Sequence, residues 1–314
     1  IKDGPRWRKV SYEADILSRV DWSAADFAPL YKLPLVARKD ADTDVVVGLS
    51  DDEKEVIRRK GVVRSAGGGL SVDGVFVSRQ LLDVIPNPWV AHAMVKNVLA
   101  RLSEKFDKEI VAGNLVFIIE ELRKRSEAEK DRLAQEIFWN AIRDKELRFL
   151  MLKDDPGYRL PSKLGMRHGA SILNQGDGSP LQLSLFEVVA DGDFNEPEKH
   201  VAWYLDEQEK LLWWYRNRSR QDYSIQGWRK HRIYPDFVFS ETDPKDRSDY
   251  AKVFVVEAKG VHLKNEDTKY KQDVFTLCNK LAEEKSWAEL GLEFPEKKLV
   301  FEVIFEDEWQ KKIN

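Results

Sequence analysis

"IYPDFVF", Ile233 to Phe239, and "VFVVEAKG", Val253 to Gly260, decide how this chain is read. Both are apolar runs of strand length, rich in β-branched and aromatic residues. Each carries charge where a buried strand is normally apolar: Asp236 in the first, Glu257 and Lys259 in the second. The connection is mostly "ETDPKDRSDY", whose Pro, Asp and Ser residues favour turns, so the two strands are expected to pair as neighbours. Residues two apart on a strand share a face, so Glu257 and Lys259 project together and Asp236 comes close to Glu257. Two carboxylates and an ammonium in a poorly solvated place are costly unless they compensate one another or hold a cation. Two close carboxylates plus a backbone carbonyl make a hard-oxygen site suited to Mg2+. Metal-activated water beside a lysine can attack a phosphodiester. The alternative is an edge strand blunted by charge, with Lys259 pairing Glu257.

The motif by itself has little weight. The chain holds six Asp/Glu-x-Lys triplets, and five of them lie in polar stretches; only Glu257–Lys259 ends an apolar β-run. The single Pro-Asp dipeptide, Pro235–Asp236, sits in the strand just before it. Upstream, "RNRSRQDYSIQGWRKHR" sets Arg216, Arg218, Arg220, Arg229, Lys230 and Arg232 against one acid, Asp222. Tyr215, Tyr223 and Trp228 interleave with them. Such a run can contact phosphates and stack on bases, or form an ordinary exposed hairpin. Glu198, in "NEPEKHVAWYLD", shares a helical stripe with Val201, Ala202 and Leu205, so its carboxylate leans inward. It also fits a capping box with Asn195. Capping and metal binding are both open to it.

After Asn195 the pattern reads helix, strand, strand, strand, helix, strand: an α/β unit with a mixed sheet. The helices span about Glu196–Gln208 and Asp267–Ala288, and the strands fall at "KLLWWYR", "IYPDFVF", "KVFVVEAK" and "KKLVFEVIF". From Val77 to about Leu150 apolar residues recur at helical spacing, as in Ala91, Val95, Val98, Leu102 and Leu115, Ile118, Ile119, Leu122. "EELRKRSEAEKDR" (Glu120 to Arg132) reads as a solvated helix face with i,i+4 pairs. "DVVVG" (Asp44 to Gly48) reads as a short strand. "SAGGGLSVDG" (Ser65 to Gly74) reads as a loop; no Gly-Lys-Ser/Thr follows its glycines, so a phosphate cradle is disfavoured. Residues from Asp154 to Asp193 are loop-like.

The 314 residues suggest two domains, and 42% hydrophobic content with ten tryptophans is enough for a sizeable core. No apolar run reaches the roughly 18 residues of a membrane span. A single cysteine, Cys278, excludes internal disulfides and multi-cysteine zinc sites and fits a reducing cytoplasm. The chain opens at Ile1 and reads as a piece of a longer protein. Net charge is −4, so any nucleic-acid surface must be local.

Pro-Asp followed by Glu-x-Lys at a strand end, after a helix bearing a glutamate, resembles the PD-(D/E)xK nuclease pattern. More narrowly, "WWYRN", "YPDFVF" and "VFVVEAKGVHL" resemble the C-terminal endonuclease domain of the restriction subunit of type III restriction enzymes. The likeness is firm from about Leu181 to Leu281; upstream, "VSRQLLDVIPNPWVA" resembles the connecting region of the same proteins. The resemblance implies a restriction-endonuclease-like mixed sheet flanked by helices over 181–314, preceded by a mainly helical connector over 1–180. It implies Asp236, Glu257 and the Ala258 carbonyl as ligands of Mg2+, or Mn2+ in its place. Lys259 would orient the attacking water or stabilise the charged transition state, and Glu198 would complete the site. Implied too are double-stranded DNA as substrate and an upstream helicase-like motor in the same chain. No Walker A or Asp-Glu-x-His box is present here, so ATP would act only through that motor. A methyltransferase/specificity subunit or a second nuclease copy are further implied partners, and defence against foreign DNA the implied role. The alternative is a DNA-binding or docking module that has lost the chemistry.

Overall fold

A computed structural model describes residues 1–3, 6–37, 62–64, 70–148, 160–259, 266–284 and 298–305. The chain forms two compact units, Lys2–Glu146 and Leu147–Asn314 together with Ile1. This division falls ahead of residue 180 because the intervening loop is hydrogen-bonded into the second unit: Leu173 N–H donates to Val189 C=O at 3.0 Å, and Leu185 N–H to Trp214 C=O at 2.8 Å.

In the first unit, short antiparallel pairs form between β1 (Lys2–Asp3) and β2 (Arg6–Trp7) and between β3 (Val62–Arg64) and β4 (Leu70–Val72). Four helices follow: α1 (Gly74–Arg79), α2 (Pro88–Ser103), α3 (Lys108–Gly113) and α4 (Leu115–Arg143). Asp73 and Asn87 accept first-turn N–H groups of α1 and α2, and Pro88 occupies the first turn of α2, where its missing donor costs nothing. Of the stretch read as a loop over Ser65–Gly74, residues 65–69 lie outside the described residues, and the rest supplies β4 and the start of α1. "DVVVG" lies outside the described residues. The expected stripes on α2 and α4 are buried in one core with Val77, Leu81 and Ile85. The charged stretch of α4 forms the expected pairs, including Arg125–Glu129 at 2.8 Å, but its centre is not solvated. Glu129 is 3% exposed and also accepts Asp26 N–H at 3.0 Å, fastening the N-terminal segment to the helix.

The second unit runs α5 (Glu196–Asp206), β5 (Leu211–Arg216), β6 (Phe237–Thr242), β7 (Tyr250–Lys259), α6 (Glu266–Glu284), β8 (Lys298–Phe305). This is the order the hydropathy pattern gives. The sheet is mixed, in the order β5-β6-β7-β8, antiparallel except for the parallel pair β7–β8. β6 starts later than expected. The strand register begins at Phe237, Pro235 has no N–H to give to it, and Asp236 stands at the mouth of the strand with its own N–H on Val256 C=O.

The register sorts the side chains into two faces. Trp214↔Phe239, Arg216↔Phe237, Phe237↔Val256 and Phe239↔Phe254 share one. It is lined by the stacked Phe239–Phe254 pair at 4.9 Å and covered by α5, whose Asp206 accepts the Trp214 indole N–H at 2.8 Å. Tyr215, Val238, Val255 and Glu257 share the other, and Phe301 of β8 joins it opposite Val255. α6 covers that face, with Phe275 5.9 Å from Phe301 between ring centroids. Both flanks of the sheet are occupied. Residues 183–185 run parallel along β5, and the Asn279 side-chain amide both donates to Phe301 C=O and accepts Phe301 N–H, each at 2.7 Å. Among the described residues, no helix is long and apolar enough to cross a membrane.

Candidate active site

Asp236 and Glu257 come together where β6 begins. Asp236 N–H donates to Val256 C=O at 2.9 Å, and its Oδ2 accepts Ala258 N–H at 2.8 Å, so it bonds the residues on either side of Glu257. Its own carbonyl accepts Asn217 N–H at 2.8 Å. Asn217, 3% exposed, fixes this corner: its amide donates to Pro235 C=O and Tyr223 C=O, both at 2.9 Å, and accepts Tyr223 N–H at 2.8 Å. The asparagine of "WYRN" thereby ties the basic segment to the aspartate of "YPDF".

Glu257 is 2% exposed, so its charge requires a partner. That partner is Lys271 of α6, whose Nζ lies 2.6 Å from Oε1. The same ammonium is 3.6 Å from Asp267. Lys271 was not among the sequence candidates, although a signal exists: it shares a helical stripe with Thr268, Phe275 and Cys278, all buried. Lys259 is the last residue of β7 and pairs in register with Phe305, while its side chain lies outside the described residues. Ala258 is half-buried at the same strand end, opposite Ile304.

Glu198 is not brought to this pair. It forms the capping box at the start of α5, accepting Asn195 N–H at 3.1 Å and donating its own N–H to the Asn195 side chain at 2.9 Å. Its two oxygens also receive Arg216 Nε and a terminal guanidinium nitrogen, each at 3.0 Å. Arg216 lies on the α5 face of the sheet and Glu257 on the α6 face, so the two glutamates are on opposite sides. Of the two roles open to Glu198, which do not exclude each other, the cap is present.

The six basic residues divide in the same way. Arg216 is engaged by Glu198 and stacks over Phe194, 5.4 Å from its centroid. Arg218 forks onto Asp222 at 2.8 and 2.9 Å, which holds its guanidinium above its ordinary pKa. Arg229 lies over the Tyr270 ring at 4.8 Å, with Trp228 edge-on to the same ring at 4.8 Å. Arg220, Lys230 and Arg232 are exposed. Arg220 takes a left-handed backbone conformation, φ +65°, in the turn after β5.

Gly227 sits where no side chain fits: a Cβ would collide with the Tyr270 hydroxyl and come within 2.9 Å of Val274 Cγ2. The basic segment is therefore pressed onto α6, one residue from Lys271. Among the described residues, no three acidic, histidine or cysteine side chains gather closely enough to hold a metal. The donors present, two carboxylates adjacent across a strand pair, are hard oxygens that suit Mg2+, which retains several waters. No protein-family model matches the chain, and no curated protein or solved structure matches it either.

Proposed function

We propose that the second unit is a Mg2+-dependent DNA endonuclease of the PD-(D/E)xK kind, with a restriction-endonuclease-like fold, working within an ATP-driven helicase-nuclease of the type III restriction class. The observation that carries this reading is the pairing of Asp236 with both neighbours of Glu257, two residues before Lys259 on the same strand. Asp236 and Glu257 would hold the metal, with the Ala258 carbonyl beside them. Bound Mg2+ supplies Lewis acidity toward water and phosphate. Lys259 would orient the attacking water or meet the charge that develops on the phosphate. Arg220, Lys230 and Arg232 would grip the DNA backbone. The first unit would connect this nuclease to the motor, and the whole would act in the cytoplasm against foreign DNA.

A second reading, a docking or DNA-binding module without chemistry, is favoured by one observation: Glu257 already has an ammonium on it. Cleavage of duplex DNA by the assembled enzyme, with ATP and Mg2+, separates the two. Asp236→Ala and Lys259→Ala should each abolish cutting while the unit stays folded. Cutting retained in either variant would overturn the nuclease assignment.

A further inference from the structure

We infer that Lys271 is a built-in counter-ion that competes with a divalent cation for Glu257. This rests on the metal-site reading above and deepens it. A carboxylate at 2% exposure is unstable without a positive partner, and the structure supplies one from a different element, on the helix that covers this face. The Nζ–Oε1 separation of 2.6 Å is a direct contact, so a cation reaching that oxygen must displace or share the ammonium. Lys271 keeps 17% of its side-chain surface, leaving a route outward, and Asp267 one turn back at 3.6 Å can receive it. The surrounding contacts hold that helix in place. Trp228 and Arg229 clamp Tyr270, the residue before Lys271, against the basic segment. A lysine that moves between Glu257 and Asp267 neutralises the site when empty and leaves Glu257 to the cation when loaded. It is a positioning residue, acting through Glu257.

The test is Mn2+ titration of this chain, followed by calorimetry and by thermal unfolding with and without Mn2+. The variants are Lys271→Met, Glu257→Gln and the double substitution. Competition predicts that Lys271→Met unfolds at lower temperature without metal and binds Mn2+ about tenfold more tightly, a coupling of ordinary size. It also predicts a larger Mn2+-induced rise in Tm than the unsubstituted chain shows. The double variant, with both charges gone, should regain stability and lose the Mn2+ response. If the unsubstituted chain binds Mn2+ through Glu257 and Lys271→Met binds it equally or more weakly, the competition idea fails and the metal site stands. If Lys271→Met lowers Tm equally with and without Mn2+, the lysine is only a strut between α6 and β7. If neither form binds Mn2+ in a Glu257-dependent way, the metal-site reading itself fails.

Discussion

Glu198 and Arg216 satisfy each other: a carboxylate at the start of α5 and a guanidinium at the end of β5 meet through two 3.0 Å hydrogen bonds on the face of the sheet away from Glu257. Each was a sequence candidate for a different task, metal binding and phosphate contact. Their pairing ties helix to strand, and the aromatic face of Phe194 backs it.

Arg216→Met should therefore act on stability. It strands a carboxylate that is 7% exposed, and the expected loss is about 3 kcal/mol in denaturant unfolding. Adding Glu198→Gln should recover most of that loss, while DNA affinity at fixed salt stays the same throughout.

DNA contact should instead follow the exposed bases. On the proposed reading, replacing the exposed Arg220, Lys230 and Arg232 together with glutamine would remove three phosphate partners. The slope of log affinity against log salt should fall by about 2.7, measured by titrating labelled duplex. Arg218→Gln should change the slope little, because its fork is already filled by Asp222.

Gly227→Ala tests the seat of the basic segment on α6. The new methyl meets Tyr270 and Val274, so about 1–3 kcal/mol of stability should be lost, together with DNA affinity. Tyr270→Phe, which removes the hydroxyl that the methyl strikes first, should restore part of both.

Acid sensitivity of the first unit should depend on Asp15. Its oxygens accept two bonds from Arg8, at 2.7 and 2.6 Å, and one from Ser11 N–H at 2.8 Å. Arg8 above all holds the carboxyl below its usual range, with Ser11 adding to that against the opposing effect of burial. A lowered folded-state pKa stabilises fully above the unfolded value of about 4, and that stability is lost as pH falls through the folded value. Unfolding measured between neutral and acidic pH should show this loss, and Asp15→Asn should flatten it.

Much of the second unit was legible in the sequence. The apolar runs at "KLLWWYR", "FVF" and "VFVV" became β5, β6 and β7, because strands buried on both faces need continuous hydrophobicity. The cap at Asn195 was legible because its four residues are consecutive. Partnerships across space were not. Arg216 meets an acid 18 residues back, and Lys271 an acid 14 residues back, in a stretch that reads as a polar helix. Asp206 was missed altogether, although its buried carboxylate accepts Gln182 N–H, Leu183 N–H, the Gln175 amide and the Trp214 indole. The strand-like run beside β5 had a signal, the alternating Leu181, Leu183 and Leu185, that the surrounding loop residues obscured.

At Phe301 the outward rung of the last ladder is already taken by a helix side chain. An incoming extended segment would have to evict the amide of Asn279 before it could hydrogen-bond there. Edge-to-edge growth is thus disfavoured at that rung, where a side-chain amide does the work that charge or proline does on other exposed strands.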